Sequence, residues 1–152
     1  AAVILAVSYA QALFAFLPVR DPTAHLLASG FPTVAEDLAA LRAHEGANAF
    51  AATNYALTGW LSFYNPSHAP VIQLNQTERW LSAPQASLSL LRQPMIYVTE
   101  PRRDISKALA REFVSVRRLQ HLVRLRAGHV VGHYNVYLLQ GFHGRAGARV
   151  AN

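Results

Sequence analysis

Seven histidines, at positions 25, 44, 68, 121, 129, 133 and 143, are the first residues to test for chemistry. A metal pair needs two of them converging from one helix face, with a carboxylate near by. His129 and His133 are four apart, but they fall where the pattern reads as turn and strand, and there that spacing does not converge. The chain has no cysteine, which excludes thiolate zinc sites, cysteine nucleophiles and structural disulfides. No metal site and no cofactor is expected. The sequence holds no Gly-x-Ser-x-Gly elbow, and its first strand-to-helix turn, Ala52-Thr53-Asn54-Tyr55-Ala56, has no glycine with which to cradle a phosphate. Glu36, Asp37 and Glu45 are accounted for by capping and by the helix dipole. No catalytic residue is assigned.

Polar positions where strands hand over to helices are what remain. Thr53, Asn54 and Tyr55 follow the first predicted strand, Asn75, Gln76 and Arg79 the second, and Thr99, Glu100 and Arg102 the third. In an open α/β sheet the loops at the carboxyl ends of parallel strands line the crevice where ligands bind. Asn and Thr are also preferred helix N-caps. Two readings therefore stand for Thr53, Asn54, Tyr55, Asn75, Arg79 and Thr99: candidate substrate-binding residues, or ordinary helix starts.

The elements that must position these residues alternate along the chain. Thr33 with Glu36 three residues later forms a capping box, Leu38 and Leu41 share a face, and Gly46 stops the helix. Strands are expected at 48–53, 70–75 and 94–99. Between them lie a helix over 54–64, whose Tyr55, Trp60 and Phe63 can pack, and a helix over 77–93 interrupted or restarted at Pro84. Another helix is expected over 103–114, with Ile105, Leu109 and Phe113 at intervals of four. Such βαβ alternation argues for a mostly parallel sheet with helices on its faces. From Val116 the rhythm changes, and two longer strands around Ala127-Gly128 read as a hairpin closing one edge.

Composition limits the partners. Of 152 residues, 52% are hydrophobic and 14% charged, against about 25% charged in an average chain. Residues 1–19 carry no charge and end at Pro18-Val19 before Arg20-Asp21, nearly the ~20 apolar residues a bilayer span needs. The tail of a transmembrane helix is the leading reading of this segment; a buried core helix and a signal remnant are the others. The chain, which opens on Ala1, is expected to be a fragment or processed product. Net charge is +6, concentrated between Arg102 and Arg126. The basic stretch lacks interleaved exposed aromatics, so nucleic acid is not an expected partner. Arg102, Arg103, Arg118, Arg124 and Arg126 are candidates for contact with an anionic membrane surface, with a plain solvated face as the alternative.

The order of elements resembles a known family. The charge-free span, "DPTAHLLASGF", a helix ending "HEGA", a strand leading into "TNYALTGWLSFYNP" and a final "VYLLQGF" are similar to the C-terminal domain of bacterial polyprenyl-phosphate-sugar-dependent integral membrane glycosyltransferases. These are relatives of the dolichyl-phosphate-mannose protein mannosyltransferases and the lipid A aminoarabinose transferases. The resemblance covers nearly the whole chain, through diffuse motifs. It implies an extracytoplasmic domain at the bacterial inner membrane, behind membrane spans that take sugar from a polyprenyl phosphate and give it to a lipid or protein acceptor. In that family the catalytic acid lies between early membrane spans, so no catalytic residue carries over. The expected organisation is a transmembrane helix end at 1–19, a Rossmann-like layered α/β domain at 20–143 with parallel strands and a C-terminal antiparallel hairpin, and a flexible tail at 144–152. A stand-alone soluble α/β ligand-binding module is the competing expectation.

Overall fold

The computed structural model describes residues 2–14, 28–75 and 87–144. Helix α1 (Ala2–Phe14) is followed by α2 (Phe31–His44), β1 (Ala49–Ala52), α3 (Tyr55–Tyr64), β2 (Val71–Gln73) and the single turn α4 (Leu88–Leu91). Then come β3 (Met95–Thr99), a 3-10 turn (Pro101–Arg103), the short α5 (Ser106–Leu109) and the long strands β4 (Phe113–Arg126) and β5 (His129–Phe142). The strands form one five-stranded sheet in the order β2-β1-β3-β5-β4. β1 pairs in parallel with β2 and with β3, whereas β3–β5 and β5–β4 are antiparallel. The α/β sheet and its antiparallel hairpin are present as expected, but the sheet is mixed rather than mostly parallel, with two parallel and two antiparallel pairings.

Each face of the sheet has its own core. Phe50, Ala52, Ile96, Val98, Val136 and Leu138 share the face covered by α2 and α3, through Phe31, Val34, Leu38, Leu57 and Leu61. Ala49, Ala51, Met95, Tyr97, Tyr137 and Leu139 share the other, covered by Leu90, Leu91, Ile105 and Leu109. Alternate residues of β1 and β3 bury to opposite sides, which is why their sequences are unbroken apolar runs.

Local signals explain most boundaries. Gly46 at φ 63 ends α2, and the amides of Gly46 and Ala47 bond back to the carbonyls of Ala43 and Arg42, closing a Schellman motif. Asn54 caps α3, its side-chain oxygen accepting from the Ala56 amide. Ala127 and Gly128, both at positive φ, make the two-residue turn between β4 and β5.

Three expectations are corrected. Thr33 is not an N-cap: α2 begins at Phe31, behind Gly30 at φ 77, with Pro32 in its first turn and no side-chain cap. The cause is tertiary, because a Cβ on Gly30 would sit 1.9 Å from the Leu125 carbonyl oxygen, so the chain enters α2 pressed against the hairpin. The helix foreseen over 103–114 shrinks to α5, since Phe113 is drawn into β4 and packs on Phe142, ring centroids 5.2 Å apart. Of the aromatics expected to pack from α3, Trp60 joins the described core, whereas Tyr55 is 51% exposed and Phe63 81%. Helix α1 is apolar and spans 13 residues, about 20 Å at ~1.5 Å per residue. Among the described residues no helix is long and apolar enough to cross a membrane. The restart at Pro84 and the tail beyond 144 lie outside the described residues.

Candidate functional site

Two adjacent parallel strands release their chains to opposite faces. After β1 the chain enters α3, whose Leu57 and Leu61 lie in the first core; after β3 it enters the 3-10 turn and α5, whose Leu109 lies in the second. This is a topological switch point, the place where an open sheet leaves a crevice at its carboxyl edge. Thr53 and Asn54 stand on its β1 side, Thr99 and Glu100 on its β3 side. Asn54 Nδ2 bridges them with a long hydrogen bond of 3.4 Å to Glu100 Oε2, and Arg103 lies 3.7 Å from the same oxygen. From β2, Gln73 contributes Nε2, which donates to the Thr53 carbonyl at 3.5 Å and faces Asn75 Oδ1 at 3.4 Å. The Gln73 side-chain oxygen accepts from the Thr58 hydroxyl of α3.

The strand-end residues named from sequence therefore converge, with differences in role. Thr53 and Asn54 are 5% and 8% exposed and Thr99 1%. The Thr53 hydroxyl is buried without a well-formed hydrogen bond, although it lies near enough to the Tyr97 hydroxyl to favour phenolate there slightly. Thr99 is turned inward, its hydroxyl donating to the Arg103 carbonyl at 3.1 Å and so pinning the 3-10 turn. Asn75 is half-buried, and Tyr55 stands outward at the rim. Arg79 lies outside the described residues. Asn54 is a helix start, its oxygen capping α3, while its amide reaches Glu100.

A second polar group adjoins the crevice on the open side of the hairpin. Asp104 accepts from the Ser106 amide and from Asn135 Nδ2, each at 2.9 Å, and from the Tyr137 hydroxyl. Asn135 Oδ1 accepts from Arg118 at 3.2 Å and faces His121 Nδ1 at 3.2 Å, while His121 Nε2 faces His133 Nδ1 at 3.1 Å. Burial by itself would raise the Asp104 pKa, but the donors from Tyr137, Ser106 and Asn135 outweigh it and hold the carboxyl below its ordinary value. Tyr97 is raised by burial. Tyr137 is raised by burial and by donating to the Asp104 carboxylate. At neutral pH the tyrosines are neutral donors and Asp104 is an ionised carboxylate already occupied by donors. Among the described residues of this arrangement no nucleophile is paired with a free base. Among the described residues no group of three or more His, Asp or Glu could hold a metal ion.

Sequence reasoning did not single out Asp104, Asn135, Tyr97 and Tyr137. The available signal was Asn135, an amide amid the apolar run of β5, where a polar residue needs a partner. The arginines named as a surface do not form one set. Arg102, Arg103 and Arg118 are exposed and Arg126 is intermediate. Arg124 is corrected to the interior: it is 0% exposed, with its guanidinium 4.9 Å from the Trp60 ring centre. Beneath it, burial pushes the Tyr134 hydroxyl up to about 12, against the opposing pull of Arg124. Comparison of the chain with family models, curated proteins and solved structures returns no match.

Proposed function

We propose that the chain is an accessory domain of a membrane glycosyltransferase that moves a sugar from a polyprenyl-phosphate donor to a lipid or protein acceptor. In this reading the domain lies on the extracytoplasmic side of the bacterial inner membrane, and the transfer chemistry belongs to membrane-embedded parts of the enzyme. The observation that supports it is α1. The helix is charge-free, and its large apolar side chains Val3, Ile4, Leu5, Val7 and Tyr9 are 44–75% exposed. A side chain of this kind gains roughly 1.5–3 kcal/mol when fully removed from water, so a helix exposing five of them favours a lipid environment. The switch-point groups complement this role, since neutral donors and the Glu100 carboxylate suit binding of a polar, hydroxyl-rich molecule.

The stand-alone binding module keeps one observation in its favour, the Thr53 hydroxyl buried at the switch point without a well-formed partner. Flotation with phospholipid vesicles separates the two readings. The full chain is expected to float, and the chain lacking residues 1–14 to stay in the aqueous phase with an unchanged circular dichroism spectrum. A full chain that remains in the aqueous phase overturns the membrane reading. The purified chain is further expected to transfer no sugar from a polyprenyl-phosphate donor. Turnover abolished by one substitution within it would place catalysis here instead.

A further inference from the structure

Four features gather at one end of the sheet. The first is the switch-point crevice at the carboxyl edge. The second is the exposed basic turn, with Arg102 and Arg103 directly after β3. The third is the tip of the hairpin. β5 runs antiparallel to β3, and its pairing with β3 ends at Thr99 opposite Asn135. Residues 129–134 continue past that edge and pair with β4, a projection of about 20 Å at ~3.4 Å per residue. The fourth is α1, because Arg126, at the tip, donates to the Gln11 carbonyl at 3.3 Å.

The two sides of the projecting hairpin differ. One is covered: Tyr134 meets the Phe31 ring edge-on at 5.9 Å, and the Leu125 carbonyl lies against Gly30. On the strands near the turn, Val123, Leu125 and Val130 are 40%, 50% and 55% exposed. Leu125 and Val130 are direct cross-strand partners, so their side chains stand together. Strands in water usually place polar residues on an open face. Here bare aliphatic groups are flanked by the exposed His129 and share their end of the sheet with Arg102 and Arg103.

We infer that the carboxyl edge of the sheet faces an anionic bilayer, with the β4–β5 tip dipping its aliphatic residues into the interface and the Arg102–Arg103 turn resting on phosphate headgroups. The inference rests on the membrane reading of α1 and adds an orientation to it. Apolar side chains beside cations are what an interfacial element needs, the first for the acyl boundary and the second for the phosphates. The contact between Arg126 and Gln11 brings α1 and the tip to the same level. The crevice bounded by Thr53, Asn54, Thr99 and Glu100 then opens toward the lipid surface, where a lipid-linked molecule would present its headgroup.

Because the chain has no cysteine, single positions can be labelled selectively. Val130→Cys at the tip and Asn48→Cys at the opposite, amino edge would each carry an environment-sensitive fluorophore on the full chain. Phosphatidylcholine–phosphatidylglycerol vesicles are the probe. The label at 130 is expected to shift to the blue and brighten on vesicle addition, less so at high salt, while the label at 48 stays unchanged. Leu125→Asp is expected to lower the vesicle-bound fraction with α1 intact. A chain that floats with vesicles while the label at 130 stays silent, or while 48 responds as strongly, overturns the orientation and leaves the membrane reading standing. A chain that does not float overturns both.

Discussion

The parallel half of the sheet and the hairpin solve the same burial problem in opposite ways. Every residue of β1 and β3 is buried, because α2 and α3 cover one face and α4 and α5 the other. β4, by contrast, has only Phe113 and Arg124 buried among its fourteen residues. Beyond the end of β3 the hairpin is held by its own antiparallel ladder and by one covered side, which leaves its other side open. A side chain in the parallel half is thus worth mainly its contribution to the core. In β4 and at the projecting tip it is worth mainly what it presents to the surroundings.

The sharpest way to break this contrast is a pair of truncations. Leu57→Ala, fully buried against the first core, is expected to cost about 3 kcal/mol, and Val123→Ala to stay within about 0.5 kcal/mol, in denaturant titrations. Equal costs would mean that the hairpin is as tightly packed as the parallel half.

Asp104 couples the halves, so it sharpens the comparison through pH. Asp104→Ala removes charge-assisted bonds to Ser106, Asn135 and Tyr137 and is expected to cost about 2 kcal/mol at neutral pH. The folded-state pKa of Asp104 lies below its unfolded value. Its stabilisation is therefore full above the ordinary carboxylate range and is lost as pH falls through the folded pKa. Asp104→Asn should flatten the acid limb of a stability–pH profile. Glu112, raised by burial against an opposing His143, contributes with the reverse sign: its share is present in acid and lost as pH rises through its folded pKa. Glu112→Gln should therefore remove a loss of stability that sets in above the ordinary glutamate range, at higher pH than the window in which Asp104→Asn acts.

Asn54→Ala, which removes the cap of α3, is expected to cost about 1 kcal/mol, and Asn54→Ser to recover most of it. The smallest effect belongs to the turn. Ala127 sits at φ 47, where Asn is better tolerated, so Ala127→Asn is expected to stabilise by roughly 0.5 kcal/mol. A melting temperature unchanged or lowered by that substitution would show that the turn is not the strained point of the hairpin.

Much of this architecture was legible residue by residue. Runs such as Met95 to Thr99 announce strands buried on both faces, Gly46 announces a helix end, and Ala127-Gly128 announces a tight turn. The failures have a common cause. Thr33 and Glu36 form a plausible capping box, but the approach of Leu125 to Gly30 fixes an earlier start. Phe113 fits a helical stripe with Leu109, but its contact with Phe142 makes it a strand residue. At the switch point, Thr53, Asn54, Asn75 and Thr99 were visible as polar strand ends. Asp104 and Asn135 were not, because their significance lies in meeting each other across 31 positions of chain.

What the sequence determined by itself is whatever depends on neighbours along the chain. That includes the alternation of helix and strand, a polar helix start at Thr53-Asn54, the tight turn at Ala127-Gly128, the uncharged first segment and the basic balance. These follow from backbone sterics, side-chain periodicity and composition, which act within a few residues. Only the tertiary structure decided which arginine is interior, that Trp60 joins the first core, and that the crevice, the basic turn and the hairpin tip share one end of the sheet. Arg124 and Arg126 are two residues apart in the same strand, yet one is 0% exposed beside Trp60 and the other reaches Gln11 of α1. Burial is a property of what comes to lie on top of a residue, and in this fold those neighbours come from distant parts of the chain.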